Sequence, residues 1–288
     1  MSLDIPARSY ARITCLICAA WLASCASQPR QWPSTPEWSA HQQTATEAET
    51  CREVLAASGR GGQSELDSSD IHVFNWNIQK VRDAGSLKDL SILADDKDLI
   101  LIQEAALKGG LLQPFRKARF WSFAPGYRRG EELTGVMTMS ASMPLARCSL
   151  TSWEPWLGTP KATSVTEYAL SGTDETLVVV NIHAVNFTFG LRRFREQLER
   201  ISAVLPDHGG PVVLSGDFNT WRKKRLDLVG EISGQLGLRA IHFDDDHRKL
   251  TFGKALDHIY VRGLSKREAS TRVVSTSDHN PMTVRLSR

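Results

Sequence analysis

The chain lacks internal repeats, a long apolar run and a strong net charge. With no repeat visible in its 288 residues, it is not a solenoid array. Its largely apolar stretch at residues 13–23 is shorter than the about 20 residues that a helix needs to cross a bilayer. The formal charge of +3 is weak evidence for a polyanionic partner. The length of the chain allows one domain of about 220 residues with a large core.

Cysteine is also scarce, and its placement at the N-terminus is informative. Two arginines precede the apolar stretch, which ends in Leu-Ala-Ser-Cys at Cys25. A basic start followed by a short apolar segment is typical of a secretory signal. The ending resembles the lipobox of bacterial lipoproteins, in which Cys25 becomes the lipid-bearing first residue, although an ordinary signal peptide or a chance cysteine is the alternative. We therefore predict a signal peptide at residues 1–24 and membrane attachment through lipid on Cys25.

Residues 25–69 are rich in Ser, Thr, Gln, Pro and Gly and are predicted to form a lipidated tether, with a short helix between residues 44 and 57. The residue after the cysteine, Ala26, favours by analogy the outer membrane, so we expect a bacterial cell-envelope protein that faces the periplasm. Once Cys15 and Cys18 leave with the signal, Cys51 and Cys148 remain. They form either one disulfide in the oxidising periplasm or two free thiols.

The most informative internal segment is Ser-Gly-Asp-Phe-Asn-Thr at residues 215–220, directly after the apolar run at residues 211–214. A short apolar run indicates a buried strand, so the hexapeptide lies where a strand ends and a site can open. Asp217 and Asn219 are two residues apart and can point the same way. Gly216 is expected to let a substrate approach the backbone closely. The alternative is a plain turn, for which these residues are also well suited.

Three other segments and a pair of segments near the C-terminus repeat this arrangement of polar groups at the end of an apolar strand pattern. Individually, such residues are often turn formers, satisfied buried histidines or charges at a helix start. Their succession along one chain instead predicts a single shared active site. The polar residues in question are Asn75 and Asn77, Glu104, Asn181, His183 and Asn186, Asp257 and His258, and Asp278 and His279.

The order of these motifs resembles the endonuclease/exonuclease/phosphatase superfamily, which includes DNase I-like nucleases and neutral sphingomyelinases. The resemblance spans residues 70–288, our predicted catalytic domain. Within it, Val-Asn-Ile-His-Ala-Val-Asn-Phe and the C-terminal third resemble a poorly characterised bacterial YafD-like branch. The resemblance implies an α/β fold, a four-layer α/β/β/α sandwich of two mixed β-sheets. Strand-like runs that alternate with helix-like ones, such as residues 191–204 and 221–236, agree with it.

The same resemblance implies a magnesium site. Glu104 matches the principal Mg²⁺ ligand of the superfamily, with Asn77 and Asp278 beside it. Carboxylate and amide oxygens are the hard ligands that this ion prefers, and Mn²⁺ is the expected substitute.

Roles in the chemistry also come from the resemblance. Asp217 matches the residue that orients or deprotonates the attacking water. His279 matches the histidine that stabilises the transition state or protonates the leaving oxygen, and Asp257 the carboxylate that holds its tautomer. The implied phosphate-binding positions are Asn219, His183 and Asn186.

These residues predict a Mg²⁺-dependent phosphoesterase, and a nuclease-like phosphodiesterase first among the candidates. Where His183 stands, abasic-site endonucleases carry tyrosine, so that activity is disfavoured; an arginine that some DNase-like enzymes carry after Glu104 is also missing. Alternatives are a phospholipid or other headgroup phosphoesterase, and a non-catalytic binding lipoprotein on the same scaffold.

The expected partner is a phosphate ester, either DNA or RNA or a phospholipid headgroup, and we expect a monomer. Local basic clusters suit such a substrate or an anionic membrane surface, the alternative being solvated helix faces. The clusters are Arg128-Arg129, Arg192-Arg193 with Arg195, and Arg222-Lys223-Lys224-Arg225 after Trp221.

Overall fold

The computed structural model describes residues 47–58, 64–107, 111, 115–118, 120–155 and 157–288. The predicted signal peptide, Cys25 and the first part of the predicted tether lie outside these residues. The helices are α1 (Ala48–Ala56), α2 (Gly85–Leu93), α3 (Arg192–Val204) and α4 (Lys223–Gln235). The strands are β1 (Ile71–Asn77), β2 (Leu99–Ala106), β3 (Phe120–Arg129), β4 (Glu132–Ser140), β5 (Ala146–Trp153), β6 (Pro160–Ala169), β7 (Thr176–His183), β8 (Val212–Asp217), β9 (Arg239–Ala240), β10 (Leu250–Thr251), β11 (Lys254–Ala255), β12 (Asp257–Arg262), β13 (Ser265–Thr271) and β14 (Met282–Ser287).

Twelve of these strands form two six-stranded mixed sheets. The first sheet has the order β13-β14-β1-β2-β4-β3, and the second has the order β5-β6-β7-β8-β12-β9. Each sheet contains one parallel pair at its centre, β1 with β2 and β7 with β8, flanked by antiparallel neighbours. Strands β10 and β11 form a separate hairpin. The two sheets therefore repeat one arrangement, which places their central strand ends opposite each other.

Apolar side chains divide into layers according to strand alternation. The core between the sheets takes every second residue, for example Val73 of β1, Val179 of β7 and Val213 of β8. The opposite residues of the first sheet, such as Phe74, pack on α2, and those of the second sheet pack on α1, α3 and α4. This confirms the predicted four-layer sandwich. Helices α3 and α4 also confirm the two helix-like runs, and no helix in the described residues is long and apolar enough to span a bilayer.

A buried polar network crosses between the sheets below their open end. The Gln103 side-chain nitrogen donates to Asn75 Oδ1 at 2.9 Å and to Asn181 Oδ1 at 2.7 Å. Ser215 Oγ donates to Asn75 Oδ1 at 3.0 Å, and Asn181 Nδ2 donates to the Met137 carbonyl at 2.9 Å. Because an unpaired polar group is costly in an apolar interior, this network fixes how the two sheets face each other.

The chain before the first sheet is attached to the domain through α1. This helix confirms the short helix expected between residues 44 and 57, and it packs with Cys51 and Leu55 against the outer core of the second sheet. A disulfide joins Cys51 to Cys148 on β5, with Cα atoms 5.6 Å apart. Residues 47–58 of the predicted tether thus lie on the catalytic domain rather than away from it.

Gly216 has a different role from the one expected from sequence. It lies inside β8 with φ of +147°, and a Cβ there would stand 1.9 Å from the Ile182 carbonyl oxygen on the parallel neighbour β7. The glycine therefore makes room for a neighbouring strand and not for a substrate. The close approach brings the ends of β7 and β8 together.

We predict that Gly216→Ala destabilises the fold by more than about 2 kcal/mol, since the added methyl meets backbone that cannot move cheaply. Gly230→Ala is the matched control, because a Cβ at this helix position meets nothing within 4 Å. The Gly230→Ala substitution should stabilise the fold by about 1 kcal/mol. Urea denaturation of both variants measures the difference, and equal stabilities would contradict this account of β8.

Cys51→Ala is expected to lower the unfolding free energy by about 2–5 kcal/mol, because the bridge closes a long loop, with 97 residues of sequence separation. Intact mass and thiol alkylation under non-reducing conditions test the bond directly. Reductant should lower the Tm of the natural chain and leave that of Cys51→Ala unchanged. Alkylation of Cys51 and Cys148 without reduction would show free thiols and contradict the disulfide.

Candidate active site

The predicted site residues meet at one edge of the sandwich, where strands of both sheets end. Asp217 is paired in register with His183 of β7 and with Asp257 of β12. Asn77 ends β1 and is paired with Gln103, the neighbour of Glu104. The side chains of Asn77, His183, Asp217 and Asp257 continue the parity of the inter-sheet core, whereas Glu104 lies in a bulge. We call this region, formed by the site and the loops around it, the catalytic edge.

A continuous line of charged contacts runs through Asp257, His279 and Asp217. His279 Nδ1 lies 2.7 Å from Asp257 Oδ2, and His279 Nε2 lies 3.8 Å from Asp217 Oδ2. Trp76 Nε1 donates to the His279 carbonyl at 2.9 Å and Ser277 Oγ accepts from the His279 amide at 3.2 Å, so the backbone is held on both sides. The arrangement leaves Nε2 as the imidazole edge that faces the other site residues.

His279 is held in its charged form. Burial of the ring opposes charge, but the carboxylates of Asp257 and Asp217, the hydrogen bond to Asp257 and the nearby Asp278 together raise its pKa to about 10. Burial, opposed by the His279 charge, raises the pKa of Asp217 to about 6, with Asp257 adding to the rise. Asp217 is therefore a stronger base than an ordinary aspartate and stands next to a positively charged acid.

A second group of charges surrounds Glu104. The Lys80 ammonium is paired with Glu104 Oε2, and His183 Nε2 lies 3.8 Å from Glu104 Oε1 and 3.7 Å from Asp217 Oδ2. Lys161 Nζ is 2.9 Å from the same His183 nitrogen. Burial, then the charges of Lys161 and Lys80, lower the pKa of His183 well below its ordinary value. His183 is accordingly neutral, with Nε2 accepting from the lysine and Nδ1 carrying the proton.

Backbone strain is concentrated at the same place. Glu104 has φ of +50° and Lys80 has φ of +60°, and both are non-glycine residues in the left-handed region. Glu104 lies in a β-bulge, where the pairing of β2 with β4 shifts between Ile102 and Ala105. A bulge turns one side chain away from strand alternation. Here it directs the carboxylate of Glu104 into a narrow cleft that Lys80, Lys161 and His183 also line.

The remaining predicted residues differ in how directly they reach the site. Asn219 Nδ2 donates to the Ala184 carbonyl at 3.0 Å, so one of its two amide hydrogens is engaged. Asn186 Oδ1 accepts from Trp221 Nε1 at 2.9 Å, which identifies its oxygen end and leaves the amino end as a donor. Asp278 is exposed beside His279.

His258 is not part of the site. It points to the opposite face of β12, with its Nε2 2.7 Å from Thr220 Oγ1, and burial, with the charge of Arg248, lowers its pKa to about 4.

Comparison with known proteins identifies the family. The sequence model of the Endonuclease/Exonuclease/phosphatase family matches residues 74–279, from β1 to His279. The chain belongs to this family. UPF0294 protein VP2298 of Vibrio parahaemolyticus is 32% identical over 243 residues, which cover 84% of this chain and 86% of the relative. The narrower resemblance to a YafD-like branch stays a prediction.

Solved structures of other proteins share the fold. The human Nocturnin catalytic domain with bound sulfate has a TM-score of 0.58 and 17% identity, covering 78% of this chain and 96% of that one. A mannosyl-6-phosphatase of Bacteroides thetaiotaomicron has a TM-score of 0.56 and 15% identity, covering 76% of this chain and 100% of that one. At such identities the likeness concerns the fold alone. Family membership supports a hydrolase that acts on phosphoester bonds.

Endonuclease/exonuclease/phosphatase enzymes typically use a divalent metal, and the residues present fit one. Asp217, Asp257 and His279 bring potential ligand atoms within 4.8 Å of one another, but a charged imidazole has no lone pair to offer. The Glu104 side has oxygen donors, from Glu104 and Asn77, and its carboxylate already attracts a cation, the Lys80 ammonium. Hard oxygen ligands suit Mg²⁺ or Mn²⁺. The Glu104 side is therefore the better metal position.

The sequence did not predict that Lys80, Lys161 and Trp221 contact site residues. Lys80 follows Asn77 by three residues and reaches Glu104 only because the backbone turns left-handed over Gln79–Val81. Lys161 enters from β6, a strand that carries no predicted site residue. Trp221 stands beside a basic cluster in the sequence, which gives no sign of its hydrogen bond to Asn186. Strand alternation gives no signal for Lys161, because it shares the parity of Thr163, which pairs with Ile182 on the helix-covered face of the second sheet.

The His279 pair predicts a stability change with pH. The folded pKa of about 10 lies above the ordinary value of 6.5, so this stabilisation is fully present below pH 6.5 and is lost as the pH rises towards 10. In EDTA, the difference in unfolding free energy between the natural chain and Asp257→Asn should shrink over that window. His242→Gln, at an exposed histidine, is the control and should show no such trend. A difference that stays constant from pH 6.5 to 10 would contradict the charged assignment of His279.

Proposed function

We propose that the chain is a Mg²⁺-dependent phosphodiesterase, with Mn²⁺ as a substitute for the magnesium ion. The observation that carries the proposal is the buried line Asp257–His279–Asp217 beside Glu104 at the open end of the sandwich. It places a base and a charged acid next to the cleft in which Lys80 and Lys161 face Glu104 and His183. The family supports the phosphoester chemistry, and the metal and the diester preference are our inference.

Asp217 is proposed to orient and deprotonate the attacking water. Burial raises its pKa to about 6, so it is deprotonated at neutral pH and still accepts a proton more readily than an exposed aspartate. Asn77 Nδ2 donates to Asp217 Oδ2 at 3.0 Å and the Asn219 amide donates to Oδ1 at 2.9 Å. These two bonds hold the carboxylate in one orientation.

His279 is proposed to stabilise the negative charge that develops as the phosphorus–oxygen bond breaks, and to donate its Nε2 proton to the leaving oxygen. Asp257 keeps the ring charged and oriented through Nδ1. Asn219 and Asn186 are proposed donors to the non-bridging oxygens, and neutral His183, whose Nε2 accepts from Lys161, is proposed to hold that ammonium beside them. Because the donors are fixed by the hydrogen bonds described above, little reorganisation is needed in the transition state.

Glu104 and Asn77, with Asp278 nearby, are the residues proposed to hold the metal. When bound, such an ion polarises a phosphoryl oxygen and offsets its developing charge. Lys80 and Lys161 contribute further positive charge in the same cleft. A fully charged phosphodiester would therefore enter a site whose acidic groups are already compensated.

For the substrate, a nuclease-like activity and a phospholipid headgroup activity remain the two proposals. We also propose export by the N-terminal signal and attachment to the outer membrane through lipid on Cys25. Such an anchor would hold the enzyme close to a membrane surface, where phospholipid phosphodiesters are abundant. A non-catalytic role on the same scaffold is disfavoured, because each of the proposed acid, base and ligand residues is present.

Hydrolysis of bis-p-nitrophenyl phosphate, a small diester without lipid or base, tests the reaction. Asp217→Asn should lower kcat/KM by roughly 10² to 10⁴-fold through loss of the base. His279→Ala should lower it by roughly 10² to 10³-fold through loss of charge stabilisation. EDTA should abolish turnover, and Mg²⁺ or Mn²⁺ should restore it.

His258→Gln is the matched control, since this histidine adjoins Asp257 yet faces away from the site. It should retain nearly full activity. Folded protein that binds Mg²⁺ but hydrolyses neither the diester nor p-nitrophenyl phosphate would overturn the enzymatic proposal in favour of a binding protein.

A further inference from the structure

Large apolar side chains are exposed mainly on the catalytic edge. Nine are exposed in the described part of the chain, and only Ile92 on α2 lies away from this edge. The other eight occupy strand ends or loops that surround the site. They are Leu107 after β2, Trp153 and Leu157 at the end of β5 and before β6, Phe187 and Phe189 after β7, Leu250 and Phe252 in the β10–β11 hairpin, and Val273 before β14.

The loop after β7 has its polar groups inside and its apolar groups outside. Glu154 and Arg225 are almost completely buried beneath it, whereas Phe187 is 55% and Phe189 is 78% exposed. Glu154 Oε1 accepts from the Asn186 and Phe187 amides at 2.5 and 3.1 Å, and Arg225 donates to the Val185 carbonyl. Two buried charged side chains thus hold this backbone in place, so the outward position of the phenyl rings is built into the fold.

The β10–β11 hairpin also exposes an aromatic side chain, here in a strained turn. Phe252 and Gly253 form its two-residue tip, with φ of +51° and +70°. Asparagine or glycine normally occupies the first of these positions, and a bulky side chain there is unusual. Phe252 is 83% exposed, and its ring centroid lies 6.1 Å from that of Trp221, next to the site residue Asn186. A strained and exposed aromatic residue indicates a contact outside the molecule.

Positive charge accompanies these apolar groups. Arg222, Lys223 and Lys224 are exposed beside Trp221, and the Arg222 guanidinium lies 4.1 Å from the centre of its ring. The exposed acids on the same side are Asp227, which is paired with Lys223, the aspartates at residues 244–246, each paired with a basic group of the chain, and Asp278. Basic residues next to exposed aromatic side chains complement the anionic headgroups and the acyl boundary of a bilayer.

We propose that the catalytic edge docks on the surface of an anionic phospholipid bilayer, with the exposed apolar side chains in the interface and the cluster Arg222-Lys223-Lys224 against the headgroups. A single-stranded nucleic acid fits less well, because half of the eight side chains are aliphatic and offer no ring on which a base can stack. Docking in this orientation turns the cleft towards headgroup phosphates. The inference deepens the proposed function and rests on it only for the identity of the substrate.

Vesicle sedimentation tests the docking. The mature chain is used with Cys25→Ser, so that it carries no lipid of its own, with phosphatidylcholine vesicles and with mixed phosphatidylcholine and phosphatidylglycerol vesicles. The natural surface should bind the mixed vesicles at least tenfold more strongly. The triple variant Phe187→Ser, Phe189→Ser, Phe252→Ser should lose binding by tenfold or more, whereas Ile92→Ser, the exposed apolar residue on α2, should not.

Arg222→Glu with Lys223→Glu should weaken binding to mixed vesicles by roughly tenfold or more at low salt and should have little effect on phosphatidylcholine alone. Lys88→Glu, an exposed lysine on α2, is its control. Binding of an oligonucleotide that the phenylalanine variant loses, without any binding to vesicles, would overturn the proposal in favour of nucleic acid. Equal vesicle binding by the natural chain and the phenylalanine variant would also overturn it.

Hydrolysis of bis-p-nitrophenyl phosphate in solution separates this inference from the proposed function. The surface variants should hydrolyse this small diester at the natural rate, since none of the changed side chains lies in the cleft. Loss of docking with full hydrolysis supports the membrane surface. Full hydrolysis without docking in the natural chain would reject the surface and leave the phosphodiesterase intact.

Discussion

Carboxylates buried at the end of an apolar interior must lie against positive charge, and this requirement organises the catalytic edge. Asp217 and Asp257 are almost inaccessible to solvent, and Glu104 is largely covered. An isolated buried carboxylate would protonate or destabilise the fold. Here His279 lies against both aspartates and Lys80 lies against Glu104. The compensation also divides the site into two halves, the aspartates with His279 and Glu104 with Lys80.

Two sheets must be held in register for these charges to meet. The polar network of Gln103, Asn75 and Asn181 lies one step below the site and joins both sheets. Gly216 lets β8 approach β7, so that Asp217 reaches the level of His183. Taken alone, each feature lowers the stability of the fold, since the network buries polar groups and a glycine within a strand has no side chain to pack. Together they place side chains from five strands within a few ångströms of one another.

Much of this could be predicted from the sequence, because strand alternation is local. Apolar runs that end in Asp217 or His183 place each side chain on the inter-sheet face, and family resemblance supplied the four-layer architecture and the choice of Glu104, whose direction depends on a bulge. Lys80 and Lys161 could not be predicted, since a left-handed turn and an antiparallel neighbour bring them in. The role of Gly216 could not be predicted either, since it depends on how closely the neighbouring strand β7 approaches. The exposed aromatic residues of the edge carry no periodic signal, and only the fold shows that loops distant in sequence gather them together.

The central claim is that the Glu104 half binds the metal while the Asp257–His279–Asp217 half handles protons. The most direct measurement is the anomalous signal of Mn²⁺ in crystals of the protein. The account predicts one ion bound to Glu104 and Asn77, with Lys80 displaced and the His279–Asp257 hydrogen bond unchanged. An ion bound between Asp217 and Asp257, with His279 displaced or acting as its ligand, would contradict the account.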